Sequence, residues 1–371
     1  MTALNNMRNE FESILKEIVQ RDGPMPVEQW MSMCLSDPDH GYYRTGQPFG
    51  KQGDFTTAPE ISQMFGELMG LWSAVVWQHM GSPSQFQLIE LGPGRGTLMA
   101  DALRAAGGVV GFAEAAAVRM IETSPVLIET QKQTLSKARV TPTWHASLVD
   151  VPSGPAIIIG NEFLDALPTR QWVSDGDVWR ERCVDVIDDQ FVFVSGAVID
   201  PTLIPTPFRS APDGSIFETS PASADVVTLI SQRLCVDGGS ALLIDYGHTE
   251  AGLGDTLQTV KDHAYADPLT APGLQDLTAH VDFAAMARIA QDAGARTWGP
   301  VNQGNLLERL GISARATSLL ANATKEQAVE LASARHRLTA SNGMGRLFKA
   351  IAICHPDAPA PPGFEEVNWA G

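Results

Sequence analysis

Glu90-Leu91-Gly92-Pro93-Gly94-Arg95-Gly96-Thr97 joins a short apolar run, Phe86–Leu91, to a stretch with helical spacing, Thr97–Ala106. Glycines at alternate positions let the chain turn sharply after a buried strand and bring a ligand against the main chain. The spacing is GxGxG, without the GxGxxG step that suits a dinucleotide pyrophosphate. Pro93 also removes a backbone N–H that a phosphate would use. An acid at the strand end, Glu90, followed by this loop fits the uncharged linker and amino-acid end of S-adenosylmethionine. A tight strand–helix turn that holds no ligand is the competing reading.

Outward from this loop, apolar strands alternate with helices. Val118–Ile121, Ala156–Ile159 and Ala241–Ile244 read as strands, with Val140–Trp144 a weaker candidate. Thr97–Ala106, Pro125–Lys137 and Ala224–Leu234 read as the helices between them. Short apolar strands separated by helices imply βαβ units and a parallel sheet buried on both faces, a doubly wound α/β fold. Upstream, helices are expected over Leu4–Val19 and Val27–Leu35, separated by a turn at Gly23–Pro26. A polar, Gly-rich stretch from Asp37 to Pro59 then reads as a lid-like loop, because loops of that length usually bind or cover something. One long helix is expected from Ile61 to Met80.

The βαβ rhythm breaks between Thr169 and Arg209. Gln171–Ser174, Val178–Val186 and Gln190–Val194, with turns at Asp175–Asp177 and Asp188–Asp189, predict consecutive hairpins in an antiparallel insertion. Helices resume over Val281–Gln291, Gln303–Leu310 and Thr324–Arg337, and Leu347–Cys354 closes the chain as a strand. The expected division is N-terminal helices and lid over 1–84, core over 85–167, β insertion over 168–221 and the rest of the core over 222–371.

Ligands in open α/β sheets bind at the carboxyl ends of the strands, which sorts the candidate residues. Gly92, Gly94 and Gly96 cradle the cofactor behind Glu90, and Asn161 joins that set. Glu122, ending the second strand, is placed to hold ribose hydroxyls, although it lies 32 positions beyond Glu90 rather than the usual ~20. A solvated surface glutamate is the alternative there. Gly160-Asn161-Glu162-Phe163-Leu164-Asp165-Ala166-Leu167-Pro168 follows the third strand and faces the acceptor side. Glu162 and Asp165 suit a cationic acceptor such as a guanidinium, which carboxylates bind bidentately. Asp165 as a simple turn cap is the bland alternative. His280 is a further catalytic candidate, and His248 and Asp282 are weaker ones; a lone histidine is more often a hydrogen-bonded structural residue, and Asp282 equally suits a helix cap.

Composition narrows the partners. The formal net charge is −17, from 43 acidic and 26 basic side chains, which disfavours a nucleic acid bound through its phosphates. The four cysteines are scattered and the histidines show no ligand spacing, so neither a disulfide framework nor a metal is expected. No apolar run reaches the ~18 residues of a membrane span and the N-terminus lacks a leader composition, which together predict a cytoplasmic protein.

Several segments together resemble the MidA-like methyltransferases, whose mitochondrial members assist assembly of respiratory complex I. They are His40–Tyr43, Gly53–Glu67, Glu90–Asp101, Asn161–Pro168, Asp245–Gly247 and Asp276–Phe283, spread over nearly the whole chain. The resemblance implies a class I, Rossmann-like methyltransferase core that uses S-adenosylmethionine, with the N-terminal segment folded over the cofactor. It also implies protein-arginine ω-N-methylation, which in the mitochondrial-matrix members falls on a subunit of NADH dehydrogenase. Without a transit composition, the chain is expected to be a bacterial relative. The competing readings are a non-catalytic assembly factor that keeps the fold, a small-molecule methyltransferase and an NAD(P)-dependent oxidoreductase. The hairpin insertion suits either a homodimer contact or acceptor docking.

Overall fold

The apolar run Phe86–Leu91 (β1) is an inner strand of a mostly parallel sheet in the computed structural model, which describes residues 2–45, 57–261 and 264–364. The other strands are β2 (Ala116–Ile121), β3 (Thr143–His145), β4 (Ala156–Asn161), β5 (Gly239–His248), β6 (Arg296–Asn302) and β7 (Phe348–Cys354). Their order is β3-β2-β1-β4-β5-β7-β6, and a two-residue strand, Val281–Asp282, pairs parallel with the end of β5. β1 to β5 pair in parallel, and β7 runs antiparallel to both β5 and β6. The winding direction reverses between β1 and β4, where Leu91 pairs with Gly160, and that reversal opens a crevice at the carboxyl edge.

This sheet belongs to the larger of two compact units, formed by Thr56–Leu164, Val226–Thr249 and Val281–Gly371. Every residue of β4 is buried, as expected of a strand covered on both faces. Met64, Phe65, Leu68 and Trp72 pack with Leu98, Met99 and Ala102 on one of those faces. Burying each of the larger of these side chains stabilises the fold by about 2 kcal/mol. Gly70 lets the helices Gln63–His79 and Thr97–Ala106 touch closely, since a Cβ there would lie 2.2 Å from the Ala102 carbonyl oxygen. Glu67, buried on the first of these helices, receives Arg315 through Nε and Nη2 at 2.6 and 2.8 Å and Arg104 at 2.6 Å. Burial alone would raise the Glu67 carboxyl, but the two guanidiniums outweigh it and hold it below the ordinary range. The stability it contributes is therefore present above the usual carboxylate range and lost as pH falls through the lowered value.

The helix expected from Ile61 to Met80 is two helices, Ala58–Ile61 and Gln63–His79. Ser62, at φ −161°, breaks the run, and its hydroxyl accepts the Met64 N–H to cap the second helix. The apolar spacing that suggested one helix continues across the break, so periodicity alone conceals the cap. The weak candidate Val140–Trp144 is shifted to Thr143–His145, and the helix starting at Pro125 ends at Thr134. Strand β6 and the helix Ile312–Leu320 lack a strong sequence pattern and were not expected.

The smaller unit comprises Met1–Phe55, Asp165–Asp225 and Glu250–His280. The predicted hairpins are present as Arg170–Asp175, Val178–Ile187 and Gln190–Val198, antiparallel throughout. Asp188 and Asp189 both adopt positive φ, as the tight turn between the last two strands requires. Ile216–Thr219 adds a further strand on one side. On the other, Met25–Pro26, expected as a turn, pairs with Cys183 and Val184. Helices Thr2–Asp22 and Val27–Ser36 contribute Phe11, Leu15, Trp30 and Met31 to an apolar cluster that includes Val184. The units thus cut across the expected segments. Residues 1–84 are divided at 55/56, and 250–280 group with the insertion rather than with the core. Residues 46 to 56 of the expected lid lie outside the described residues.

Candidate active site

The larger unit gathers most of the expected residues at the carboxyl edge of its sheet. Glu90 ends β1 nearly, is 3% exposed, and its Oε2 has no hydrogen-bond partner among the described residues. Burial pushes its carboxyl well above the ordinary range, against a backbone hydrogen bond from Met99. Gly92, Gly94 and Gly96 follow with φ of +57°, +52° and +80°, values that favour glycine. A Cβ on Gly92 would also meet Phe163 Cδ2 at 2.7 Å, so the loop after β1 lies against the loop after β4. The hydroxyl of Thr97 donates to Glu60 Oε1 at 2.6 Å, and Arg95 pairs with the same carboxylate at 3.4 Å.

Glu122 follows β2, and its backbone N–H donates to the His145 carbonyl at the end of β3. Its Oε1 accepts the amides of Thr123 and Ser124, both at 2.8 Å. Its Oε2 accepts from Gln131 Nε2 at 3.0 Å, and the same nitrogen donates to the Gly94 carbonyl at 2.7 Å. Glu122 is therefore built into the loop rather than solvated on the surface. Ser124 caps the helix Pro125–Thr134 that carries Gln131.

Asn161 ends β4, with Nδ2 donating to Glu162 Oε1 at 3.0 Å and Oδ1 unpaired among the described residues. Glu162 itself sits at φ +52°, a left-handed conformation that a non-glycine residue adopts at a cost of about 1 kcal/mol. Its Oε1 also accepts the Ala58 N–H at 2.8 Å, and its own N–H donates to the Ile244 carbonyl. Asp245, buried in β5, accepts the amides of Phe163 and Leu164 through Oδ2 at 3.1 and 2.9 Å and so shapes the same loop. His248 Nδ1 lies 3.9 Å from Asp282, whose carboxylate caps the helix Phe283–Asp292 by accepting the Ala285 N–H.

Asp165 and His280 belong to the smaller unit. The Asp165 carbonyl accepts the Ala279 N–H at 3.0 Å, and the His280 N–H donates to Thr256 Oγ1 at 2.9 Å. Nearby in sequence, Asp276 receives the Tyr43 hydroxyl at 2.8 and 3.0 Å. Burial pushes the Tyr43 hydroxyl well above its ordinary value, and the charges of Asp276 and Asp165 add to that. Asp165, Asp276, His280 and Tyr43 thus come from three of the motifs quoted above.

Gln131, Ala58 and the aim of the Asp245 carboxylate were not found by sequence reasoning. Gln131 is one polar residue on a helix, Ala58 acts through its backbone, and Asp245 was noticed only as part of Asp245–Gly247. Among the described residues no His, Cys, Asp and Glu side chains group to hold a metal ion, and no helix is long and apolar enough to cross a membrane.

The donor set fits S-adenosylmethionine. A buried acid with one unpaired oxygen, an unpaired amide oxygen and a loop of positive-φ glycines match an ammonium-bearing, uncharged linker. A second carboxylate at the next strand end matches a ribose diol. A diphosphate would meet two carboxylates there, Glu90 and Glu122.

A family model of S-adenosyl-L-methionine-dependent methyltransferases matches residues 68–301. The chain is 38% identical to the mitochondrial protein arginine methyltransferase NDUFAF7 homolog of Drosophila melanogaster, over 91% of this chain and 83% of that one. It is 37% identical to the human protein arginine methyltransferase NDUFAF7, over 81% of this chain and 73% of that one. A superfamily member from Burkholderia thailandensis, solved with S-adenosyl-homocysteine bound, superposes with a TM-score of 0.86 at 27% identity. That match covers 99% of this chain and 97% of the other. The central sheet and these likenesses make the fold that of a Rossmann-like methyltransferase.

Proposed function

The chain belongs to the MidA-like family of S-adenosyl-L-methionine-dependent methyltransferases, and from that premise we propose that it methylates an ω-nitrogen of an arginine in a protein. The observation that carries the acceptor assignment is Glu162: a carboxylate at the end of β4, held in a left-handed conformation beside the loop that receives the cofactor. The names of the relatives, protein arginine methyltransferases of mitochondria, support the same acceptor class. A guanidinium is a planar cation that a carboxylate binds and orients.

S-adenosylmethionine, when bound, supplies an electrophilic methyl group on sulfur. Glu90, Asn161 and the backbone of Gly92, Gly94 and Gly96 hold its amino-acid end, and Glu122 holds its ribose. Glu162 binds the acceptor guanidinium and offsets charge as its nitrogen loses a proton, and Asp165 and His280 keep the catalytic candidacy that their motifs imply. Positioning, charge complementarity and exclusion of water provide the acceleration. The acceptor we propose is a subunit of respiratory complex I, met in the bacterial cytoplasm. The antiparallel sheet of the smaller unit serves either to dock that acceptor or to form a homodimer.

The test is calorimetric titration with S-adenosylmethionine and NADH, followed by incubation with purified NADH dehydrogenase subunits and mass spectrometry of their arginines. Binding of the sulfonium compound alone and one or two methyl groups on an arginine are expected. Binding without transfer to any protein would overturn the enzymatic reading in favour of an assembly factor. Transfer to small molecules alone would overturn the acceptor class.

A further inference from the structure

We propose that Gln131 is the positioning residue that locks the glycine loop to the carboxylate of Glu122 before the cofactor arrives. The inference rests on the reading of Glu122 as the ribose-binding acid. The Gln131 side chain is 0% exposed, and three contacts engage both hydrogens of its amide nitrogen and its carbonyl oxygen. Nε2 donates to Gly94 O and to Glu122 Oε2, while Oε1 accepts the Trp144 indole N–H at 2.7 Å. The orientation of the amide follows from chemistry. An indole N–H only donates, and a carbonyl and a carboxylate only accept, so the flipped amide would break all three contacts.

Three separate segments converge on this one side chain: the turn after β1, the turn after β2, and β3. A Cβ on Gly96 would lie 3.5 Å from Gln131 Cα, so the helix backbone itself also lies against the loop. Glu122 has Oε1 fixed by the Thr123 and Ser124 amides, and Gln131 fixes Oε2. The carboxylate is thereby kept from rotating, and the Gly94 peptide is held in register with it. Preorganisation of this kind lowers the cost of ordering the site on binding, which appears as cofactor affinity. The Gln131 amide is engaged with Gly94, Glu122 and Trp144, and none of these is assigned to the methyl group or its acceptor, so its effect falls on binding and not on the methyl-transfer step.

The experiment is calorimetric titration of the full chain with S-adenosylmethionine and S-adenosyl-homocysteine, for wild type, Gln131→Met and Gln131→Glu, at about pH 8.5 and about pH 6. Gln131→Met removes both donors and should weaken both ligands about tenfold at either pH. Gln131→Glu keeps the acceptor for Trp144 but sets a negative charge against Glu122 and the Gly94 carbonyl. It should bind more than about tenfold weaker at high pH and recover most of that loss at low pH, where the protonated carboxyl donates again. A merely structural role would not produce that pH-dependent recovery, and thermal midpoints of the ligand-free variants verify that each is folded. Gln131→Met with wild-type affinity, or a Gln131→Glu deficit that stays constant with pH, would overturn the positioning role. A parallel Glu122→Gln titration separates the two ideas, because unchanged affinity in that variant overturns the ribose assignment instead.

Discussion

Glu122 and Glu162 each follow a parallel strand of the same sheet, yet their carboxylates are held by different means. Glu122 is fixed by the next two amides of its own chain and by Gln131 nine positions on. Glu162 is fixed by its neighbour Asn161 and by the backbone of Ala58, 104 positions away, and its own backbone is strained. The Glu122 carboxylate, proposed to hold the nucleoside, is therefore held largely by residues near it in sequence. The Glu162 carboxylate, proposed to hold the acceptor, is held only when distant segments have come together.

The largest expected effect tests the acceptor end. Glu162→Gln keeps an oxygen to accept from Ala58 and Asn161 but removes the charge. Transfer should fall at least about a hundredfold while cofactor affinity stays within a few-fold. Unchanged turnover in a methyl-transfer assay would break the assignment. Next comes the nucleoside end. Glu122→Ala should weaken S-adenosylmethionine about ten- to a hundredfold by calorimetry. If its affinity is kept, or if turnover at saturating cofactor collapses instead, the two carboxylates do not divide the work as proposed.

The smallest effect concerns Glu90, proposed to hold the cofactor and buried with one oxygen unpaired among the described residues. Its carboxyl holds a proton more tightly when folded, so its contribution to stability is full below the ordinary carboxyl range and declines as pH rises through the raised value. Glu90→Gln should therefore stabilise the cofactor-free protein at neutral pH by about 1 kcal/mol, read as a higher melting midpoint, while weakening the cofactor. The gain should vanish as pH falls into the ordinary carboxyl range. A gain that is independent of pH would mean that Glu90 is not held protonated by burial.

The parts legible in the sequence are those whose physics is local. The β1 loop announces itself because positive φ at alternate positions demands glycine, and the helix Thr97–Ala106 begins and ends where the spacing places it. The hairpins of the insertion were visible because a period of two and paired turn residues suffice to specify them. Ser62 was hidden because a cap needs one hydroxyl and no change in the apolar period. Gln131 was hidden because a buried amide and an exposed one are the same letter until the partners of the helix are known.

By itself the sequence determined most of the strands and helices, the cofactor class and the residues standing at strand ends, and the resemblance of its motifs supplied the family. The strands, helices and glycine loop follow from backbone stereochemistry and apolar periodicity, which act over a few residues at a time. Only the tertiary structure decided that residues 250–280 group with the hairpin insertion, that Ala58 holds Glu162, and that Gln131 joins Gly94 to Glu122. Hydrogen bonds between segments tens to hundreds of positions apart leave no local period or composition to read. They exist only after burial has chosen which polar groups must find each other.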